Sequence, residues 1–223
     1  MKKFELTNEF ITNMFGTKLF RIRALVEFGD VEAGELGGYV EKESNLGHDD
    51  NAWVYDNAWV YGDAQVSGDA LVYDNARVYG DARVSGNAQV FGNAWVFGDA
   101  QVFGDAQVFG DAQVFGDAWV YGNAQVSGDA RVCGDARVCG NGDYAYAHGF
   151  GSVNRTTTFF RLKDGGVGVR CGCFYGTLAQ FRDKIRETHG ETKKAQEYLM
   201  LADLMELRFE EDENEVGNRK YVE

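Results

Sequence analysis

Proline is absent from the 223 residues of this chain, which also has only three histidines and four cysteines. No apolar run approaches the roughly 20 residues that a helix needs to cross a bilayer. The first residues, Met1 to Glu5, lack the apolar segment of a signal peptide. So few cysteines in a chain of this length do not form the pattern of a secreted disulfide framework. These absences predict a cytoplasmic protein without a membrane partner.

Positive charge is scarce as well. The chain has 22 Lys and Arg against 35 Asp and Glu, which gives a formal net charge of −13. Only residues 144–176 are net positive, with four basic residues and one acidic residue. Phosphate contacts dominate the affinity of proteins for nucleic acid, and an acidic surface repels phosphate. We therefore expect no direct binding of nucleic acid.

A strict six-residue repeat fills residues 51–140. The unit Asn/Asp-Ala-x-Val-x-Gly/Asp occurs fifteen times without insertion or deletion, with alanine from Ala52 to Ala136 and valine from Val54 to Val138. Alanine and valine are two positions apart, so both face one side of a short strand and the x residues face the other. Gly beside Asn or Asp suits the turn that follows. Three hexads per turn predict five regular coils of a triangular parallel β-helix.

This Ala-x-Val-x-Gly-Asp run resembles the left-handed parallel β-helix of the hexapeptide-repeat superfamily, which is best known from acyltransferases. The resemblance covers residues 51–140 and implies a mainly β fold. It leaves the activity open, because the same scaffold carries enzymes and passive proteins alike.

The rest of the chain divides around this repeat. Residues 1–50 are predicted to form a small N-terminal β cap and an irregular first coil, in which Val40, Leu46 and Ala52 follow at six-residue spacing. Residues 141–209 are predicted to form a C-terminal ββαα module, and residues 210–223 an acidic, frayed tail.

Alternation and capping signals define the elements of the module. Within it we expect a connector at 142–151, strands at 155–162 and 167–173, and helices at 177–188 and 191–209. The apolar stripe of the second helix is predicted to comprise Ala195, Tyr198, Leu199, Ala202, Leu204, Met205 and Phe209.

Segments on both sides of the repeat resemble uncharacterised phage and prophage hexapeptide-repeat proteins. These segments are Leu36-Gly37-Gly38-Tyr39-Val40-Glu41 with Asn45-Leu46, the Arg-Thr-Thr-Thr-Phe-Phe-Arg run at 155–161, and Cys-Gly-Cys-Phe at 171–174. The resemblance implies a phage origin and a location in the cytoplasm of the bacterial host. A small non-catalytic phage protein of this kind is expected to interfere with a host defence, by sequestering a nucleotide signal or by blocking a defence protein.

Aromatic residues recur every eighteen positions, which places them above one another on two outward faces. Two explanations stay open: the rings stack across rungs and stiffen the coil, or they form a subunit contact. We predict a homo-oligomer, most simply a trimer, with the second column as its interface. The first column is Tyr55, Tyr73, Phe91 and Phe109, and the second is Tyr61, Tyr79, Phe97 and Phe115.

The predicted ligand site lies in the cationic segment. Arg155, Thr157, Phe159 and Arg161 alternate along one strand and share a face, and Arg170 follows on the next strand. Guanidinium groups, a hydroxyl and a ring suit a phosphate-bearing small molecule or the acidic patch of a host protein. The alternative is that the arginines only neutralise the acidic rod or the helices against which they pack.

The sequence disfavours a catalytic function. Hexapeptide acyltransferases resemble one another in using a histidine base, and here His48 and His148 flank the repeat while no histidine lies inside it. We therefore predict no catalytic residue and no cofactor, with an acyltransferase-like enzyme as the alternative.

Acidic and metal-binding functions are further alternatives. One edge of the rod carries only aspartates, which could imitate DNA toward a DNA-binding partner or bind cations. A metal site from Cys171, Cys173 and His189 rests on a single C-x-C pair, so we predict none. The all-aspartate edge consists of Asp63, Asp81, Asp99, Asp117 and Asp135.

Overall fold

The chain folds into a parallel β-helix of about six turns, with antiparallel strands before it and a small sheet and two helices after it. The structure is a computed structural model and describes residues 2–151 and 154–210. The predicted tail, apart from Glu210, lies outside these residues. In the part of the chain that is described, neither helix combines the length and apolar composition that a membrane crossing demands.

The N-terminal cap consists of the hairpin β1 (Phe4–Thr12) and β2 (Lys18–Ala24) and of β3 (Leu36–Val40), which begins the first coil. Val40 pairs with Val60 and Leu46 bridges to Val66. The predicted series from Val40 through Ala52 is therefore wrong in phase. Val40 and Leu46 occupy valine positions, and Val54 follows Leu46 by eight residues rather than six.

Fifteen short strands build the remaining coils, and their pairing is in register at a spacing of eighteen residues. They form three parallel ladders, of which one continues through β3 into the hairpin as an eight-stranded sheet. The strands are β4 (Trp53–Val54), β5 (Trp59–Val60), β6 (Gln65–Val66), β7 (Leu71–Val72), β8 (Arg77–Gly80), β9 (Arg83–Val84), β10 (Gln89–Val90), β11 (Trp95–Gly98), β12 (Gln101–Val102), β13 (Gln107–Val108), β14 (Gln113–Phe115), β15 (Trp119–Val120), β16 (Gln125–Val126), β17 (Arg131–Val132) and β18 (Arg137–Val138).

The interior of the β-helix is filled by alanine and valine, as the hexads predict. Ala100 and Val102, for example, are fully buried, and the amide of Gln101 donates to the carbonyl of Ala118 on the next rung at 2.9 Å. Each corner requires a left-handed residue. Gly98 has φ 70°, and an added Cβ would lie 3.1 Å from the amide nitrogen of Gly116, so glycine suits this corner sterically as well. Asp74 adopts φ 59° where the repeat has no glycine.

Four antiparallel strands, not two, form the C-terminal sheet. Its order is β19-β20-β21-β22, with β19 (Tyr144–Phe150), β20 (Arg155–Arg161), β21 (Val167–Cys171) and β22 (Phe174–Thr177). The predicted connector is thus mostly strand β19, because its alternating Tyr and Ala pair with β20. The strand expected to reach Cys173 ends at Cys171, and Cys173 lies in the turn before β22.

Two helices complete the module: α1 (Leu178–His189) and α2 (Lys193–Phe209). The predicted cap of α1 is confirmed, since the hydroxyl of Thr177 accepts a hydrogen bond from the amide of Gln180. The predicted stripe of α2 is wrong at Leu204, which is 54% exposed.

Strand β20 lies between the β-helix and the two helices. Phe160 is fully buried in the core that continues from the β-helix, whereas Phe159 is fully buried against the helices and contacts Phe181 with ring centroids 6.0 Å apart. The module therefore closes the C-terminal end of the β-helix with one face and carries its helices on the other.

Replacing Val102 by Asp should unfold the middle coils, because an uncompensated buried charge costs at least about 3 kcal/mol. The matched control is Gln101→Asp, whose side chain points outward from the same strand and should change stability by no more than about 0.5 kcal/mol. Urea unfolding followed by far-UV circular dichroism measures both. Equal losses in the two variants would contradict the inward orientation of valine.

Candidate functional site

The second predicted aromatic column forms a regular stack, here called the aromatic ladder: Tyr61, Tyr79, Phe97 and Phe115. Successive ring centroids lie 4.9, 5.0 and 4.9 Å apart, and neighbouring planes are within 4° of parallel. The spacing is that of adjacent strands, so the in-register pairing of the rungs sets it. The rings are half-buried, and the ladder runs along the outer face of the eight-stranded sheet.

A second row on the same face combines tryptophan with arginine. The Arg77 guanidinium lies 4.4 Å from the ring centroid of Trp59 and 5.2 Å from that of Trp95. These distances allow cation–π attraction on both sides of the guanidinium. The outer face of the sheet is therefore aromatic and cationic in a protein that is acidic as a whole.

The first predicted column stacks only in part. Tyr73, Phe91 and Phe109 stack at 4.8 and 4.9 Å. Tyr55 instead meets the ring of Trp53 edge-on, with centroids 6.5 Å apart. The cause is the irregular first coil, in which Trp53 is fully buried and its ring reaches the N-terminal cap.

Arginines surround the C-terminal end of the aromatic ladder. The guanidinium carbons of Arg131, on β17, and of Arg170, on β21, lie 5.7 and 5.6 Å from the ring centroid of Phe115. Arg155, at the start of β20, shares a cleft with Arg131. We call Arg131, Arg155 and Arg170 the arginine cluster. The closure of the β-helix by the module brings these three strands together.

Neither Arg131 nor Arg170 forms an ion pair among the residues that the structure describes, although Asp111 and Asp129 line the cleft beside Arg131. The Nε atoms of both are buried and have no hydrogen-bond partner there. Burial, and next the charge of Arg170, lower the pKa of Arg131. Burial raises the pKa of the neighbouring Cys133 thiol to about 11, so this group is uncharged at neutral pH. The two guanidiniums therefore repel each other in a partly desolvated place.

The cleft beside Arg131 has a volume of about 430 Å³. Arg155 projects over Gly172, which adopts φ 59°, and a Cβ added there would collide with the flexible end of the Arg155 side chain. The cleft thus combines guanidinium groups with carboxylate and amide groups. The lining consists of Asp111, Gln113, Asp129, Arg131, Arg155, Thr156 and Gly172.

The five residues predicted as a ligand site do not form one accessible surface. Thr157 and Phe159 are fully buried and Arg161 is nearly so, because their side of β20 faces the helices. The Thr157 hydroxyl donates to the Cys171 sulfur at 3.2 Å. Accessibility of these three is therefore ruled out in this structure. Arg155 and Arg170 stay candidates, and Arg131 joins them.

Arg131 was not predicted from the sequence as a site residue, because it occupies an ordinary outward x position of the repeat. The feature that could have indicated it is its position in the chain. It lies in the last coil, one rung beyond Gln113 and next to the cationic segment that follows the repeat.

Arg161 has a structural role. Its Nη1 and Nη2 donate to the carbonyls of Gly165 and Phe209 at 3.1 Å each, and its Nε lies 3.6 Å from a carboxylate oxygen of Asp143. The side chain therefore joins β20 to the end of α2 and to the turn that follows the β-helix.

The two histidines of the acyltransferase alternative lie at opposite ends of the rod. At His48, Nδ1 accepts from the Lys3 amide at 3.1 Å and Nε2 lies 2.9 Å from a carboxylate oxygen of Glu43. His148 lies 2.8 Å from the Thr156 hydroxyl at the edge of the cleft. The enzyme alternative stays an untested prediction.

On two of the three acidic edges, asparagine amides donate hydrogen bonds to aspartates. Asn87 donates to Asp105 at 2.8 Å and Asn93 donates to Asp111 at 3.1 Å. The all-aspartate edge has partners at its two ends, where Asp63 meets Lys42 and Asp135 accepts from the Tyr175 hydroxyl. The DNA-mimic alternative stays untested as well. Within residues 2–151 and 154–210, no group of three His, Cys, Asp or Glu side chains could hold a metal ion.

The parallel rungs, their strict six-residue period and the capped ends define a β-solenoid repeat protein. A family model described as the YdcK β-solenoid repeat matches residues 64–80, 76–90, 112–128 and 124–140, all inside the β-helix. No curated protein shows a significant match to the chain.

Arg161→Ala should destabilise the C-terminal module by about 3–5 kcal/mol, because it leaves the buried Asp143 without its cation. The exposed Arg155→Ala is the matched control and should stay within about 0.5 kcal/mol of wild type. Urea unfolding measures both. If Arg161→Ala were as stable as the control, the structural role of Arg161 would be refuted.

Proposed function

We propose that this protein is a non-catalytic binding protein, a rigid homo-oligomeric β-helix that presents its C-terminal module to a ligand or partner. The observation that carries the proposal is the outer face of the eight-stranded sheet. There the half-exposed aromatic ladder leads directly to Arg131 and Arg170, whose buried Nε atoms have no hydrogen-bond partner among the described residues. Large rings and arginines are the side chains that dominate recognition surfaces.

A second copy of the chain is the proposed cover of the aromatic ladder. Four stacked rings that expose their edges form a continuous apolar strip, which monomeric proteins seldom leave open. Trp59 and Trp95 widen the strip on the same face. We propose a trimer, because three copies around an axis parallel to the rod each bury the same face.

The proposal also covers the superfamily, the origin and the location of the protein. The hexad supports membership of the hexapeptide-repeat superfamily with a left-handed coil, and the segments at 36–46 and 155–174 support a phage origin. The protein then acts in the cytoplasm of the bacterial host. It counters a host defence, either by sequestering a phosphate-bearing signal or by occluding a defence protein.

The acyltransferase alternative has a direct test. Acetyl transfer from acetyl-CoA to a small hydroxyl or amine acceptor should be undetectable with the wild type. Transfer that disappears in His48→Ala or His148→Ala would replace the binding function with an enzymatic one.

The oligomer is tested by sedimentation equilibrium at micromolar concentrations. We expect a species of about three times 24.7 kDa. The double change Tyr79→Ser and Phe97→Ser should weaken this assembly at least tenfold, since it removes the centre of the aromatic ladder. The matched control is Phe91→Ser with Phe109→Ser, which removes two stacked rings from a different face.

A wild type that sediments as a single species of 24.7 kDa would refute the oligomer. A control that dissociates as readily as the test variant would place the contact elsewhere or show general weakening of the coil. Thermal unfolding of both variants separates these two results.

A further inference from the structure

We infer that the cleft between β17 and the start of β20 is a binding site for a phosphorylated sugar, with the phosphate held by Arg131 and Arg155. The inference rests on the proposed binding function and names its site and ligand class. It draws on three features of the cleft: guanidinium groups without an ion-pair partner in the described part of the chain, the hydrogen-bond acceptors that line the same cleft, and its size.

The cations come first. Arg131 and Arg170 contact the same ring of Phe115, and each has a buried Nε without a partner in the described part of the chain. A structural arginine in such a place normally has a carboxylate or carbonyl partner, as Arg161 has. An anion bound by Arg131 and Arg155 would offset the repulsion between Arg131 and Arg170. Guanidinium groups bind phosphate through paired hydrogen bonds, which makes phosphate the fitting anion.

The other lining residues determine what accompanies the phosphate. Asp111 and Asp129 contribute carboxylates, and Gln113, which pairs with Arg131 on the neighbouring strand, contributes an amide. Carboxylates repel a bare anion but accept hydrogen bonds from hydroxyl groups. A ligand that carries hydroxyls close to its phosphate satisfies the guanidinium groups and the acceptors at once, and sugar phosphates have this chemistry.

Size agrees with this class. A volume of about 430 Å³ lies in the lower half of the range for small-molecule sites, roughly 300–1,000 Å³. It accommodates a phosphorylated pentose. A mononucleotide contains the same group, and its base would have to extend beyond the lining residues.

Isothermal titration calorimetry of the full-length protein tests the site with ribose 5-phosphate, ribose and inorganic phosphate. We expect ribose 5-phosphate to bind at least tenfold more tightly than inorganic phosphate, and ribose not to bind. Adenosine 5′-monophosphate tests the nucleotide source, and tighter binding than ribose 5-phosphate would assign the site to a nucleotide of the same class.

Two substitutions separate the contribution of the cations from that of the carboxylates. Arg155→Gln should lower the affinity for both phosphate compounds at least tenfold without a change in melting temperature, because Arg155 is exposed. Asp129→Asn should weaken ribose 5-phosphate while leaving inorganic phosphate unchanged or tighter. The matched control is Arg83→Gln, which removes an exposed outward arginine from another sheet of the rod.

Arg131→Met provides a readout that a structural arginine would not give. Replacing a partly buried cation that forms no ion pair with the described residues by an apolar side chain should leave the melting temperature of the free protein unchanged or raise it. The same change should abolish the rise in melting temperature that ribose 5-phosphate produces in the wild type. A lower melting temperature without ligand would overturn the view that Arg131 is held for binding.

Absence of binding by the wild type at millimolar ribose 5-phosphate would overturn the site. So would equal affinities of Arg155→Gln and Arg83→Gln. Equal binding of ribose 5-phosphate and inorganic phosphate would overturn the sugar assignment. These results are independent of sedimentation, so an oligomer that binds no phosphate and a monomer that binds it are distinguishable failures of the two proposals.

Discussion

The hydrogen bonds between residues eighteen positions apart determine most of what this protein is. They hold each rung directly above the previous one, as between Gln101 and Ala118. That register stacks valine on valine inside and aromatic on aromatic outside, at the spacing of neighbouring strands. A single inserted residue would turn alanine and valine outward. The aromatic ladder is thus a consequence of the same constraint that builds the core.

A solenoid has two ends, and the way they are closed shapes the candidate site. At the N-terminal end, the buried Lys3 ammonium donates to the carbonyls of Asp50 and Ala52, and the hairpin extends one ladder of the β-helix. At the C-terminal end β20 lies across the last coil, where the Thr158 hydroxyl accepts a hydrogen bond from the Arg131 amide. This closure brings arginines from β17, β20 and β21 together. The cleft is therefore a product of the junction and belongs to neither part alone.

The junction between the β-helix and the C-terminal module differs in charge from the rest of the protein. The rod carries aspartates at its corners, and some of them accept hydrogen bonds from asparagine amides. Arg131 and Arg170 have no such partner among the described residues, although the protein has a large excess of acidic groups. Desolvated cations without partners reduce stability. This loss of stability is consistent with the proposed binding function, because functional sites are where proteins violate the rules that otherwise stabilise the fold.

The sequence by itself determined the repeat, its inward and outward residues, the second aromatic column and the capped start of α1. These depend on periods of two and six residues and on local capping, which are visible along the chain. Only the tertiary structure decided the phase of the first coil, the strand nature of 144–150 and which face of β20 is buried. Alternation shows that Thr157, Phe159 and Arg161 share a face, but both faces of a central strand can be covered. Two helices cover that face, and the β-helix covers the other. The contact between β20 and the β-helix also places Arg131 in the same cleft as Arg155.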